Sequence, residues 1–105
     1  MIKYIPIQNP DRNANFVKVE LYYNKGGMNY FTYREEKRGY YLSVSPVYRE
    51  RGMESYTAFT GTKQLIKETT RKSEKAYKTA LSEIDNFLPA LLDIVCNKNN
   101  ITLLE

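Results

Sequence analysis

MNYFTYREEKRGYYLSVSPVYRER, residues 28 to 51, is the stretch whose reading decides the fold. Two runs of strand composition meet there across the charged turn EEKRG, and five of the ten tyrosines fall within it. Period-two alternation over residues 28 to 34 sets Phe31 and Tyr33 against Met28, Tyr30, Thr32 and Arg34. Over residues 40 to 48 it turns Tyr40, Leu42 and Val44 inward and Tyr41, Ser43 and Ser45 outward.

Working outward, residues 16 to 24 (FVKVELYYN) place Val17, Val19, Leu21 and Tyr23 on one face of a half-buried strand, and Asn24-Lys25-Gly26-Gly27 supplies a turn. A fourth run, Met53 to Thr60, follows the turn at residues 50 to 52. Residues 16 to 60 are therefore expected to form a four-stranded antiparallel meander. Upstream, residues 2 to 7 read as an edge strand, because Pro6 cannot donate to a ladder, and residues 8 to 15 as a polar loop. Residues 1 to 15 thus form an N-terminal edge.

After Gly61 the period changes. Ile66, Thr69, Thr70, Ser73, Ala76, Tyr77, Ala80, Leu81, Ile84, Phe87, Leu88, Leu91 and Val95 recur at three and four, which predicts one helix over residues 62 to 97. Pro89 removes the hydrogen bond to Asp85, so a kink or break is expected near residues 85 to 88. Residues 98 to 105 are a tail that reads equally as frayed chain or as a short strand. The expected architecture is one α+β domain over residues 1 to 105, with the helix packed on one sheet face.

Composition excludes most catalytic designs. With no His and the single Cys96, the chain can build neither a Cys/His zinc site nor a triad with a histidine base. The carboxylates, among them Glu35, Glu36, Glu50 and Glu68, fall in turn-like or helical positions where solvated surface is the expectation. No enzymatic activity, cofactor or metal is expected. There is no apolar stretch of membrane-spanning length and no secretory signal, and one cysteine forms no internal disulfide, so the expected compartment is the cytoplasm.

What remains is a binding surface. On the open sheet face the alternation interleaves Lys18, Tyr22, Tyr30, Arg34 and Tyr41, rings and cations of the kind that stack bases and attract phosphates. Tyrosine is also a good strand former, so the same residues suit a purely structural role. On the expected helix Lys63, Lys67, Arg71, Lys75 and Lys78 form a basic stripe, and residues 61 to 80 carry six basic and two acidic side chains. Such a row suits a polyanion better than a membrane, since Thr69, Thr70 and Ser73 beside it are too weakly apolar to insert. Beyond Pro89 the apolar surface widens, and Leu88, Leu91, Leu92 and Val95 are the expected contacts of a homodimer.

The order strand, charged turn with Gly39, strand, short turn, strand and helix over about residues 16 to 80 resembles the single-stranded DNA-binding fold of the transcriptional positive-cofactor-four type. The resemblance implies a small basic dimer whose sheet binds single strands, with Tyr30, Arg34, Lys37, Arg38 and Tyr41 as contacts. In tone the sequence also resembles small proteins of phages and mobile elements. Two functions follow: a module that holds single-stranded DNA or RNA without chemistry, or a protein that docks on and inhibits a host nuclease or defence complex, using the tyrosines as rigid anchors.

Overall fold

The computed structural model describes residues 1–10, 13–55 and 59–104. Seven strands and one helix follow one another: β1 (Ile2–Pro6), β2 (Phe16–Asn24), β3 (Gly27–Asn29), β4 (Arg34–Glu36), β5 (Gly39–Glu50), β6 (Met53–Ser55), β7 (Thr62–Glu68) and α1 (Glu74–Asn99). The class is α+β, an antiparallel sheet covered on one face by a long C-terminal helix.

The sheet is organised on β5, the longest strand. Along one edge β5 pairs with β2 from Phe16↔Val47 to Asn24↔Gly39, and β1 pairs β2 in turn. Along the other edge it pairs with β7 over residues 39 to 44 and with β6 over residues 48 to 50. The alternation in β2 and β5 holds as read: Val17, Val19, Leu21, Tyr40, Leu42 and Val44 are buried on one face. Asn15 extends this register with its side chain: its amide donates to the Arg49 carbonyl at 2.7 Å and its Oδ1 accepts from the Arg49 N–H at 2.8 Å. It thereby does the work of a peptide group beyond the end of β2.

Three expectations are corrected. First, residues 28 to 34 are not a strand of the main sheet. Asn24↔Gly39 is the last β2–β5 pair, and residues 25 to 38 leave the sheet as a separate ribbon in which β3 pairs only with β4. Gly26 and Gly27 turn the chain outward with φ of 77° and 105°. The sheet thus exceeds the four-strand meander, and β5 takes β2 as its neighbour. Of the expected strand from Met53 to Thr60, only Met53–Ser55 is strand, and residues 56–58 lie outside the described residues.

Second, residues 62 to 68 are strand and α1 starts at Glu74. Ile66 is the only strong apolar residue among the stripe positions from 66 to 73, so helical periodicity there rested on Thr and Ser. Pairing with β5 satisfies a whole ladder, which outweighs that weak pattern. Ile66 still reaches the core because a bulge between the Tyr40↔Lys67 and Tyr41↔Leu65 pairs turns it inward. Ser73 then caps α1, its hydroxyl accepting from the Ala76 N–H at 3.1 Å. The helix runs as one element through Pro89; Pro89 and Asp85 are both exposed, so water can reach the carbonyl that the proline leaves unpaired.

Third, the residues expected at a dimer interface line the chain's own core. Leu91 and Val95 are buried with Ala76, Ala80 and Ile84 against the sheet, and Leu88 and Leu92 pack on the same cluster. The tail accounts for the extra apolar residues: after Asn100 in the left-handed conformation, Ile101 folds under the helix and Leu103 forms a single bridge with Ile7. No helix among the described residues is long and apolar enough to cross a membrane.

Candidate nucleic-acid interface

The β3–β4 ribbon is the feature that a packing argument does not absorb. Its tip, residues 30 to 33, leaves Tyr30 78%, Phe31 98% and Tyr33 81% exposed, with Met28 half-exposed beside them. Aromatic rings this exposed gain little from burial, and the turn that carries them is braced by its own hydrogen bonds. Asn29 Oδ1 accepts from the N–H groups of Phe31 at 3.0 Å and Thr32 at 3.3 Å, and Tyr33 sits at φ 55°. A tyrosine in that region carries strain on the order of 1 kcal/mol.

The ribbon's base is pinned to the sheet. Glu36 forms an ion pair with Lys63 of β7, Asn24 Nδ2 donates to Glu36 Oε1 at 3.1 Å, and Arg38 Nε donates to the Lys25 carbonyl at 2.8 Å. Hydrogen bonding to Lys63 holds the Glu36 carboxyl below the usual glutamate range, against the opposing effect of burial. Burial pulls the Lys63 ammonium down, but its Glu36 partner and the nearby tyrosines outweigh this and leave it raised. The sign follows for each partner. The lowered Glu36 contributes stability above its unfolded value of about 4.3 and loses it as pH falls through the folded value; the raised Lys63 contributes below about 10.4 and loses it as pH rises past its own. The ribbon amides of residues 25 to 38 should therefore keep constant hydrogen-exchange protection between about pH 5 and 10 once intrinsic exchange is divided out, and lose it first below about pH 4. Loss already at pH 6 would contradict the latch.

The open sheet face is not the stacking platform that alternation suggested. Tyr41 is only 6% exposed; it stacks on Tyr22 with centroids 6.0 Å apart, donates its hydroxyl to the Lys37 carbonyl at 2.7 Å and lies beneath the Lys63 ammonium. Burial pushes the Tyr22 and Tyr41 hydroxyls up. Lys18 is held by Glu54 at 3.2 Å and Glu20 at 3.7 Å, and the Arg49 guanidinium sits 4.2 Å from the Tyr4 ring centroid. Of the expected contacts, Lys18, Tyr41 and Lys63 are thus engaged within the chain, and Tyr22 is half-buried under its stack.

The remaining expected residues converge elsewhere. Tyr30, Arg34, Lys37 and Arg38 are exposed on the ribbon. The supposed helical stripe is divided: Lys67 lies half-buried on β7, Arg71 in the linker, and Lys75 and Lys78 are exposed on the first turns of α1, Lys78 paired with Glu74 at 3.3 Å. The fold nevertheless brings these pieces to one end. Gly39 pairs with both Asn24 and Glu68, and the Thr69 N–H donates to the Arg38 carbonyl at 3.1 Å, so the ribbon base adjoins the β7–α1 linker. Residues 24 to 38 and 67 to 78 hold nine basic and four acidic side chains, against seven and eight in the rest of the chain. The whole positive excess therefore resides at this end.

Phe31, Tyr33, Lys25 and Lys72 also belong to this surface and were not among the expected contacts. The signal for the first two was present: residues 28 to 34 carry rings on both faces, which leaves no apolar side for a core, and turn residues flank them on each side. Comparison with protein-family models, with characterised proteins and with solved structures returns no match.

Proposed function

We propose that the chain is a non-enzymatic nucleic-acid-binding module that holds single-stranded DNA or RNA at its ribbon end. The observation that carries this reading is the solvent-exposed Tyr30-Phe31-Thr32-Tyr33 turn set at the end of the molecule that holds nine basic and four acidic side chains. A polyanion meets Lys25, Arg34, Lys37, Arg38, Arg71, Lys72 and Lys75 there, while exposed rings offer stacking for bases. A single strand suits such a tip better than a duplex, because its bases stack on the rings without the cost of unstacking a paired step, a few kcal/mol.

Fluorescence anisotropy with labelled single- and double-stranded oligonucleotides across a salt series tests this. Engagement of about five phosphates gives a slope of log affinity against log salt of about −3 to −4 on single strands. Affinity weaker than micromolar at low salt, or a flat slope, defeats the reading. A second reading, a protein partner such as a host nuclease or defence complex, is favoured by one feature: Phe31 and Met28 have no polar atom to offer a nucleic acid's edges and would fill an apolar pocket. Under that reading oligonucleotide binding is absent.

A further inference from the structure

Behind the ribbon base, on the helix side of the sheet, a notch of 560 Å³ opens between the C-terminal end of β2, Tyr40 and the first turns of α1. Four tyrosines line it, and three of them, Tyr23, Tyr40 and Tyr77, pack ring against ring. Buried Tyr40 forms the floor, with Tyr23 edge-on at 5.3 Å between centroids and Tyr77 tilted at 5.8 Å. Tyr23 donates its hydroxyl proton to the Thr69 carbonyl at 3.5 Å and Tyr40 to the Ser73 carbonyl at 3.3 Å, while Tyr77 accepts from the Met1 amino group at 3.0 Å and keeps its own proton to donate. What half-buried Tyr23 and Tyr77 add to the notch is chiefly ring surface. A flat ligand that gains from aromatic contact fits such walls, and the volume lies within the range of small-ligand sites.

Charge at the rim identifies the ligand further. Exposed Lys72 lines the notch and Arg71 precedes it, while Glu74, the one carboxylate among the described lining residues, lies 3.3 Å from Lys78. The Tyr23↔Tyr40 pair is also the neighbour of Asn24↔Gly39, from which the ribbon departs, so the notch adjoins the ribbon's base, and a strand held at the tip reaches it along the ribbon over roughly 15 to 20 Å, a span of a few nucleotides. We propose that the notch receives one nucleobase of the bound single strand, with the adjoining phosphate on Lys72; this rests on the nucleic-acid reading above.

The test is a titration of the isotope-labelled full chain with an eight-residue oligothymidylate and with an abasic octamer of the same sugar-phosphate backbone, followed by NMR. The expected result is ring-current shifts at Tyr23, Lys72 and Tyr77 with the oligothymidylate that vanish with the abasic octamer. Tyr77→Leu, which keeps an apolar side chain against Tyr40, should lower affinity about five- to 150-fold with an unchanged salt slope. Lys72→Glu, exposed and indifferent to folding, should flatten the slope by about 0.7 or more. Shifts confined to residues 28 to 38, with full affinity in both variants, overturn the notch while leaving the ribbon as the binding site. Absence of any oligothymidylate binding at low salt defeats the nucleic-acid reading itself.

Discussion

Replacing Tyr30, Phe31 and Tyr33 together with serine is expected to lower single-strand affinity about 30- to 700-fold, the effect of losing roughly 2 to 4 kcal/mol of base stacking. The lower figure corresponds to two stacked bases at the weak end of the range, and non-additivity keeps the sum of three from being reached. The three rings are between 78% and 98% exposed, so their removal takes no apolar area from the core. The melting temperature should therefore stay within about 3 °C of the parent. The salt slope should also persist, because Lys25, Arg34, Lys37 and Arg38 remain. Anisotropy and a thermal melt on the same preparation check both halves. Unchanged affinity would mean that the tip does not touch the nucleic acid, whatever the basic end does.

The second large effect is on stability and bears on the fold itself. Gly39→Ala should cost about 2 to 3 kcal/mol and lower the melting temperature on the order of 10 °C. A methyl group at Gly39 would press into the Lys67 carbonyl oxygen and lie 2.9 Å from Glu68 Cα, both backbone atoms of β7 that no rotamer change can clear. The effect depends on residues 62 to 68 being a strand against β5. Were they the opening turns of the helix, Gly39 would sit in an open turn and alanine there would cost less than about 1 kcal/mol. Chemical denaturation of the variant and the parent decides between these.

The parts of this fold that were legible in the chain are those where one physical requirement acted alone. Val17, Val19 and Leu21 alternate with polar neighbours, as do Leu42 and Val44, and each pattern admits only one buried face. Ala76, Ala80, Ile84, Leu91 and Val95 likewise admit one helix stripe. The candidate site was legible only in part, because Lys18 and Tyr41 on the alternating strands and Lys63 on the expected helix stripe looked, as residue types, the same as Tyr30, Arg34 and Lys37. The difference lies in long-range partners and burial: Glu54 meets Lys18 and Glu36 meets Lys63, whereas Lys37, 3.9 Å from Glu68, keeps 70% of its side chain exposed.

Local pattern by itself thus determined the class, the two long strands, the helical stripe from Ala76 to Val95, the exclusion of histidine- and cysteine-based catalysis and the positive charge. Only the tertiary structure decided that residues 62 to 68 pair with β5, that Leu91 and Val95 serve the chain's own core, and that residues 28 to 34 stand away from the sheet. The first two share a reason: each depends on which distant backbone edge or apolar face is still unfilled once β2 and β5 have paired, and no window along the chain contains that information. For residues 28 to 34 the rings on both faces were a local sign, and the end of the β2–β5 ladder at Asn24↔Gly39 fixed the outcome.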